Sequence, residues 1–229
     1  MTTHKYNFNR VQFWLDPTKS GAPEKRVRTC RPEFYLGLEN VSRMIVETMK
    51  RYADKKHSIL EIGCGTGRNL VALRQAGYKK LTGIEISPKT VSVGRERWPE
   101  YEKIQTLIGP AEQMINEVGD FDVIYTQGLL MHIPPEHEWL LESIAQKARV
   151  AIIVSEGESV GAKSEHAWNR NYQEIFEGLG WEQVEWETCE KYPPLPATTV
   201  KRVFLKPVKV ETVIQSVLET PEEPEIIEE

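Results

Sequence analysis

The stretch ILEIGCGTGRNL, residues 59–70, combines an acid with three glycines at alternate positions. Glu61 is followed by Gly63, Gly65 and Gly67, after an apolar run and before a run of helical character. Glycine lets a strand-to-helix turn approach a ligand closely, where a Cβ would collide. The helix that follows directs its first N–H groups at the same place. The spacing therefore predicts a loop that holds a ligand with main-chain atoms, beside a carboxylate.

The glycines do not fit the G-x-G-x-x-G fingerprint of nicotinamide- and flavin-binding loops. Counted from Gly63, the third glycine would fall at Arg68, and counted from Gly65 it would fall at Leu70. An acid followed by alternating glycines fits instead, and this pattern resembles the class I S-adenosylmethionine-dependent methyltransferases. At the level of the fold, the resemblance covers residues 55–206.

The resemblance implies S-adenosylmethionine as cofactor and S-adenosylhomocysteine as product. Glu61 would face the methionyl amino end, and Ile86 would pack on the adenine. Glu85, which ends the next apolar run, would accept both ribose hydroxyls because a carboxylate offers two oxygens. The expected cofactor contacts are Glu61, Gly63, Cys64, Gly65, Gly67, Asn69, Glu85, Ile86, Ala111, Glu112 and Gln127.

The segment after the third strand departs from the pattern of the resembled family. Relatives usually carry an acid there, whereas this chain has Pro110, which offers neither a side-chain acceptor nor an N–H. We therefore expect adenine recognition by the Ala111 backbone N–H and by Glu112. The alternative for Glu112 is an ordinary first-turn helix acid.

Candidates for chemistry follow the fourth and fifth strands. The exit FDVIYTQGLLMHIPPEHEW places Gln127 beside the sulfonium and His132 on the rim. A hydroxyl acceptor must lose its proton as it is methylated, and imidazole suits that task. His132 is therefore the candidate catalytic base, with bracing of the loop as its alternative role. The stretch SEHAWNRNY gives His166, Arg170 and Tyr172 as acceptor-pocket candidates, and no metal site is expected.

Short apolar runs alternate with helical stretches, which predicts an α/β fold. The predicted strands are 58–62, 81–86, 103–108, 121–126, 150–154, 181–188 and 199–205. The predicted helices are 38–52, 68–76, 88–97, 111–117, 135–147 and 168–179. The last two strands are joined by a short link without a helix, which favours antiparallel pairing. We therefore predict a doubly wound, Rossmann-like sheet of seven strands, six parallel and one antiparallel.

Three regions are expected along the chain. Residues 1–54 form a lid segment and a helix, in which Phe13, Trp14 and Tyr35 are possible covers of the cofactor. A Trp or Phe in such a segment is more often part of the core, so Trp14 is given no role. Residues 55–207 form the cofactor-binding core, and residues 208–229 form a mobile acidic tail.

Charge argues against nucleic acid as a partner. The net charge is −5, but seven glutamates lie beyond residue 210, so the body is nearly neutral. Nucleic-acid binding usually needs a clustered basic face. Three widely separated cysteines, no apolar leader and no run of about 20 apolar residues predict a cytoplasmic protein without a membrane partner. The oligomeric state stays open.

The favoured function is methyl transfer to a hydroxyl of a small molecule. The segments QGLLMHIPP and IIVSE resemble methylases of surface-sugar (pseudaminic-acid-type) gene clusters, which would make the acceptor a sugar or a sugar-nucleotide. A DNA or RNA methyltransferase is one alternative, although the Asp/Asn-Pro-Pro-aromatic loop and a cysteine nucleophile are missing after strand four. A cofactor-binding module without catalysis is the other.

Overall fold

The computed structural model describes residues 10–16, 30–158 and 167–207. Its strands are β1 (Ser58–Ile62), β2 (Lys80–Glu85), β3 (Gln105–Ile108), β4 (Phe121–Gln127), β5 (Ala148–Gly157), β6 (Glu182–Thr188) and β7 (Thr199–Leu205). Its α-helices are α1 (Arg10–Leu15), α2 (Pro32–Leu36), α3 (Glu39–Tyr52), α4 (Arg68–Gln75), α5 (Pro88–Arg97), α6 (Ala111–Met114), α7 (Trp139–Lys147) and α8 (Tyr172–Gly178). Short 3₁₀ helices cover Pro99–Lys103, Ile115–Glu117, Leu130–His132 and Pro135–His137.

The strands form one sheet in the order β3-β2-β1-β4-β5-β7-β6. Strands β1 to β5 pair in parallel, and β7 is antiparallel to both β5 and β6. The predicted fold class, with one reversed strand among seven, is confirmed. The strand order reverses between β1 and β4, and ligands of doubly wound sheets bind outside the carboxyl ends of the strands at such a point.

Helices cover both faces of the sheet, so the central strands are apolar almost throughout. In β4, Val123 and Tyr125 pack into one core cluster with α3, α4 and α5, while Ile124 packs into the other with α7 and α8. This alternation follows from the two-residue period of a strand. It also fixes which side chains at the strand ends face the glycine-rich loop.

Three helices differ from their predicted bounds, each for a local reason. The predicted helix 135–147 starts as a 3₁₀ turn after Pro134, and α7 begins only at Trp139. The predicted helix 168–179 begins at Tyr172, because the Asn171 side chain caps it by accepting the Glu174 N–H at 3.3 Å. The predicted helix 111–117 is α6 followed by a 3₁₀ turn.

Strand β5 is longer than predicted, and this difference affects the site. It runs from Ala148 to Gly157 instead of 150–154, because pairing with β7 continues to Gly157 opposite Thr199. The extension makes Glu156 part of the strand.

None of the helices in the described ranges has both the length and the apolar character needed to cross a bilayer. The predicted tail, residues 208–229, lies outside the described residues, as do residues 1–9 of the predicted lid segment.

Candidate active site

The glycine-rich loop, residues 63–67, joins β1 to α4. The N–H groups of Gly63 and Cys64 both donate to the Ile84 carbonyl, at 2.8 and 3.0 Å, which fixes the loop against β2. Gly65 has a φ of +55°, and a Cβ added there would meet no atom within 4 Å. The loop therefore presents main chain to open space, which is the cradle the sequence predicted.

Glu85 ends β2 and faces this loop. Its Oε2 accepts the N–H of Gly65 and its Oε1 accepts the N–H of Ser87, both at 2.9 Å. Burial raises the pKa of this carboxyl, while the backbone N–H groups of Ser87, Gly65 and Ile86 act in the opposite direction. The two hydrogen bonds above occupy two of the about four lone-pair sites of a carboxylate, so the group can accept from further donors. Glu85 thus retains the acceptor capacity that a ribose diol requires.

Glu61 lies in the sheet beneath the loop and is 1% exposed. Its Oε1 accepts from Asn69 Nδ2 at 2.8 Å, and the same amino group donates to Gln127 Oε1 at 2.9 Å. The Asn69 Oδ1 in turn accepts the hydroxyl of Ser42 at 3.0 Å, so α3 and α4 hold the amide in place. Asn69 therefore orients two of the predicted cofactor contacts.

Burial raises the pKa of Glu61 to about 7. Its buried Oε2 accepts no hydrogen bond of good geometry among the described residues, although the nearby Tyr125 hydroxyl acts against the rise in pKa. A buried acceptor in a cavity wall is stabilised by a donor that carries positive charge. The methionyl ammonium of S-adenosylmethionine is such a donor, so Glu61 fits the role predicted for it.

Arg68 brings a buried positive charge next to Glu61. Its Nη1 donates to the Leu38 carbonyl and its Nη2 lies 3.4 Å from Gln127 Oε1. Burial lowers the pKa of this guanidinium to about 10, and Glu61 opposes that effect. The side chain partly offsets the charge of Glu61 and ties α4 to the segment before α3.

These residues line one cavity of about 410 Å³ at the carboxyl ends of the parallel strands. Of the predicted cofactor contacts, its wall contains Glu61, Gly63, Cys64, Gly65, Asn69, Glu85, Ile86, Ala111 and Gln127. Main-chain groups of a glycine loop, two carboxylates and apolar side chains make a donor and acceptor set that fits S-adenosylmethionine.

His132 lines the same cavity on what we call the acceptor side. This side consists of lining residues from α1, α2, the segments after β4 and β5, and the β6–β7 connection: Trp14, Cys30, Phe34, Tyr35, Met131, His132, Gly157, Asn169, Pro194, Leu195, Pro196 and Thr198. The His132 ring centroid lies 5.0 Å from that of Trp14, with the rings tilted by 57°. The predicted base thus faces the cavity that would hold the cofactor.

Two predicted cofactor contacts, Gly67 and Glu112, do not line the cavity. Gly67 has a φ of +73°, and a Cβ there would lie 2.2 Å from Tyr101 Cζ, so this glycine serves packing of the loop on a buried ring. Glu112 is 8% exposed, and its Oε1 lies 4.0 Å from His137 Nε2. It is buried at the start of α6, next to Ala111, which does line the cavity.

Two acceptor-pocket candidates, Tyr172 and Arg170, have buried side chains. Tyr172, the first residue of α8, is fully buried in the core. The Arg170 side chain is 5% exposed and donates to backbone carbonyls of the segment after β4. Neither residue lines the cavity. The third candidate, His166, lies outside the described residues.

The sequence reading missed several wall residues because they are distant in the chain. Trp14, given no role, and Phe34 come from short N-terminal helices that carry no ligand-binding pattern. Pro194 and Pro196 lie in a link that was interpreted only as a connection. Glu156 had a usable signal, since it is an acid that follows the apolar run VAIIVS, as Glu85 follows its own.

In a comparison with known proteins, residues 59–150 match a family described as a methyltransferase domain. The ribosomal protein L11 methyltransferase of Thermotoga maritima is 26% identical over 144 residues, which are 59% of this chain and 53% of that protein. Methyltransferase OMS1, mitochondrial, of Saccharomyces cerevisiae is 31% identical over 91 residues, 37% of this chain and 19% of that protein. The chain spans about half the length of the L11 methyltransferases that it matches.

Solved structures share the fold at low sequence identity. Magnesium protoporphyrin IX methyltransferase from Synechocystis with bound S-adenosylmethionine superposes with a TM-score of 0.60 at 15% identity, over 90% of this chain and 100% of that one. The [4+2]-cyclase SpnF superposes with a TM-score of 0.58 at 17% identity, over 73% of this chain and 81% of that one.

Proposed function

We propose that this chain, whose residues 59–150 match a methyltransferase-domain family and whose fold is that of S-adenosylmethionine-dependent methyltransferases, transfers the cofactor's methyl group to a hydroxyl of a small molecule without a metal ion. One observation carries the proposal: the glycine loop, Glu61, Glu85 and His132 all line the same cavity. The cofactor and the proposed base would therefore lie in the same cavity, and an acceptor bound there would contact both.

Different residues of this chain would bind the cofactor, remove the proton and align the acceptor. Glu61, the loop and Glu85 would bind the cofactor, which supplies a methyl carbon activated by positive sulfur and leaves as S-adenosylhomocysteine. His132 would take the proton of the acceptor hydroxyl as its oxygen forms the new bond to carbon. The aromatic and prolyl walls would exclude water and align the acceptor, and alignment alone contributes about 7–11 kcal/mol in ideal cases.

The acceptor side favours a small acceptor with an uncharged ring. The side chains of Trp14, Phe34 and Tyr35 contribute aromatic rings to this wall, and those of His132 and Asn169 contribute polar groups. A few polar groups in a largely apolar wall are typical of small-molecule sites. A sugar hydroxyl fits this wall. Among the described residues, Arg68 is the only Lys or Arg that lines the cavity as a whole, and it is already bonded to Leu38 and Gln127.

A protein side chain is the second candidate acceptor. The similarity to ribosomal protein L11 methyltransferases over 144 residues favours it. The resemblance in fold to a [4+2]-cyclase likewise keeps open a reaction other than methyl transfer.

The test is transfer of labelled methyl from S-adenosylmethionine into separate pools of neutral sugars, sugar-nucleotides, ribosomal proteins and RNA. Label in a sugar pool is the expected result. Label in protein or RNA would replace the proposed acceptor class, and cofactor binding without label in any pool would contradict methyl transfer to these acceptors.

The base is tested by His132→Ala. We expect transfer to slow by about 10²–10⁴-fold, as for loss of a general base, with little change in the affinity for S-adenosylhomocysteine. The matched control is His137→Ala, because His137 lies five residues further along the chain but outside the cavity wall. Full activity of His132→Ala would show that His132 only braces the segment.

A further inference from the structure

We propose that Glu156 and Arg170 are positioning residues, which hold the segment 128–133 from two sides so that His132 faces the cavity. The proposal rests on the proposed function, in which His132 is the base. Neither side chain lines the cavity, so both would act through the segment.

Glu156 binds the N–H side of the segment. It is 0% exposed and lies at the carboxyl end of β5. Its Oε1 accepts the Leu129 N–H at 3.1 Å and its Oε2 accepts the Met131 N–H at 3.3 Å. The Thr126 hydroxyl donates to Oε1 at 2.8 Å, which fixes the carboxylate relative to β4.

Arg170 binds the carbonyl side of the same segment. Its Nη1 donates to the Leu130 carbonyl at 3.0 Å and its Nη2 donates to the Ile133 carbonyl at 2.7 Å. Its Nε pairs with Glu138 Oε1 at 2.8 Å, so the planar guanidinium is held in one orientation. The residue two positions earlier adds a third tie, because the Trp168 N–H donates to the Met131 carbonyl at 2.8 Å.

The two side chains therefore bind backbone N–H and carbonyl groups before and after His132, and both bind the peptide group that joins Leu130 to Met131. The carboxylate accepts from residues 129 and 131, and the guanidinium donates to residues 130 and 133. His132 itself donates its backbone N–H to the Leu129 carbonyl at 2.8 Å, which closes the turn. Its imidazole is then directed at the cavity and at Trp14.

Burying the side chains of Glu156 and Arg170 costs free energy of hydration, so stability alone does not account for them. A buried carboxylate loses its hydration, and exchange for a well-packed apolar residue is often neutral or stabilising for the fold. The two polar side chains instead fix the conformation of the segment 128–133, which apolar packing alone would define less well. Loss of either group should therefore displace His132 before it unfolds the protein.

The experiment compares Glu156→Gln and Arg170→Gln with the parent protein by NMR. In the parent protein, the Leu129 and Met131 amides should be protected from hydrogen exchange, and the His132 ring protons should carry the ring-current shift of Trp14. Glu156→Gln keeps the shape but turns one acceptor into a donor facing a backbone N–H. We expect at least about tenfold faster exchange at Met131 in that variant.

We also expect the His132 ring resonances to move toward their solvent values in both variants. Affinity for S-adenosylhomocysteine should stay within about twofold of the parent protein. The internal control is the Lys206 amide, which donates to the Val150 carbonyl at 3.1 Å near the amino end of β5 and should keep its exchange rate. Arg170→Lys should show a smaller displacement, since one ammonium replaces only part of the fork.

A matched control variant is Lys147→Gln. Lys147 also donates to a backbone carbonyl, that of Val118 at 2.6 Å, but near the amino ends of β4 and β5. If Glu156→Gln and Arg170→Gln leave the His132 resonances and the two amides unchanged, or change them no more than Lys147→Gln does, the proposal is wrong. These readouts do not depend on transfer, so failure of His132 as a base would leave them intact.

Discussion

At the scale of single residues, the two fully buried carboxyls in and beside the cavity share one electrostatic property. Burial raises the pKa of Glu61 and of Glu156 to about 7, from an ordinary value of 4.5. The native state therefore retains protons that the unfolded chain releases between pH 4.5 and about 7. An acid whose pKa is raised by folding makes the protein less stable as the pH rises through that window.

We expect the melting temperature of the cofactor-free protein to fall as the pH rises from about 5 to about 8. Glu61→Gln and Glu156→Gln should each flatten the profile, because glutamine does not titrate. Calorimetric scans across that pH range measure the effect. A steeper or unchanged profile in both variants would show that other groups govern the pH dependence.

Glu85 is the residue on which ribose binding is proposed to depend. Glu85→Ala should weaken binding of S-adenosylhomocysteine by about 1–3 kcal/mol, the cost of leaving hydrogen-bonding groups unpaired. Titration calorimetry measures it directly.

The matched control is Asp122→Ala. Asp122 also accepts two hydrogen bonds, from the Ser58 N–H at 2.8 Å and the Ser58 hydroxyl at 2.9 Å, but at the amino end of β4. That variant should lower stability without altering the affinity. Equal losses of affinity in the two variants would remove the ribose assignment.

Glu85 and Glu156 also show which strand ends can be predicted from local sequence and which cannot. Both acids follow an apolar run, and Glu85 was found because its strand ends where the apolar run ends. Strand β5 continues past its apolar run because β7, more than 40 residues later, pairs with it as far as Gly157. The extension of β5 therefore has no local signal, although the acid that follows the apolar run could be seen in the sequence.

At the scale of elements, two glycines of the glycine-rich loop have different structural roles. Gly65 and Gly67 both have positive φ, but Gly65 faces open space whereas Gly67 lies against the Tyr101 ring. The alternating pattern located the loop correctly, yet spacing alone could not reveal which glycine meets the cavity. That difference depends on Tyr101, which lies in a separate 3₁₀ helix.

We therefore expect different outcomes for two alanine substitutions in this loop. Gly67→Ala should lower the free energy of unfolding by about 2–5 kcal/mol, because a strained φ and a clash with a buried ring add together. Gly65→Ala carries only the conformational cost of about 1–2 kcal/mol, but should weaken cofactor binding. Denaturant titration and calorimetry measure the two effects.

The two variants control for each other. A stability loss in Gly65→Ala as large as that in Gly67→Ala would contradict the open space described at residue 65. Unchanged cofactor affinity in Gly65→Ala would contradict close approach of the ligand to the loop.

At the scale of the whole molecule, the site is completed by parts that lie far from the glycine loop. Trp14 and Phe34 come from the N-terminal helices, and Pro194 and Pro196 come from the β6–β7 connection. Sheet order places the carboxyl ends of β1, β2, β4 and β5 side by side, so these segments meet over one cavity. The doubly wound pattern could be predicted from local sequence, whereas the covering segments depend on tertiary packing.

The described residues end shortly after β7, and the acidic segment that follows is predicted from the sequence to be a mobile tail. Phe204 is fully buried, and the last described backbone bond runs from the Lys206 N–H to the Val150 carbonyl at 3.1 Å. Residues 208–229 carry seven glutamates and one lysine. We propose that the fold and the cofactor site are complete without them.

A chain that ends at residue 207 should therefore melt within about 2 °C of the full chain, a shift that corresponds to less than about 1 kcal/mol in a protein of this size. It should also bind S-adenosylhomocysteine with unchanged affinity. The control is a chain that ends at Lys201, which loses the buried Val203 and Phe204 and should not fold. A large drop in melting temperature or in affinity on removing 208–229 alone would instead assign those residues to the core or to the cavity.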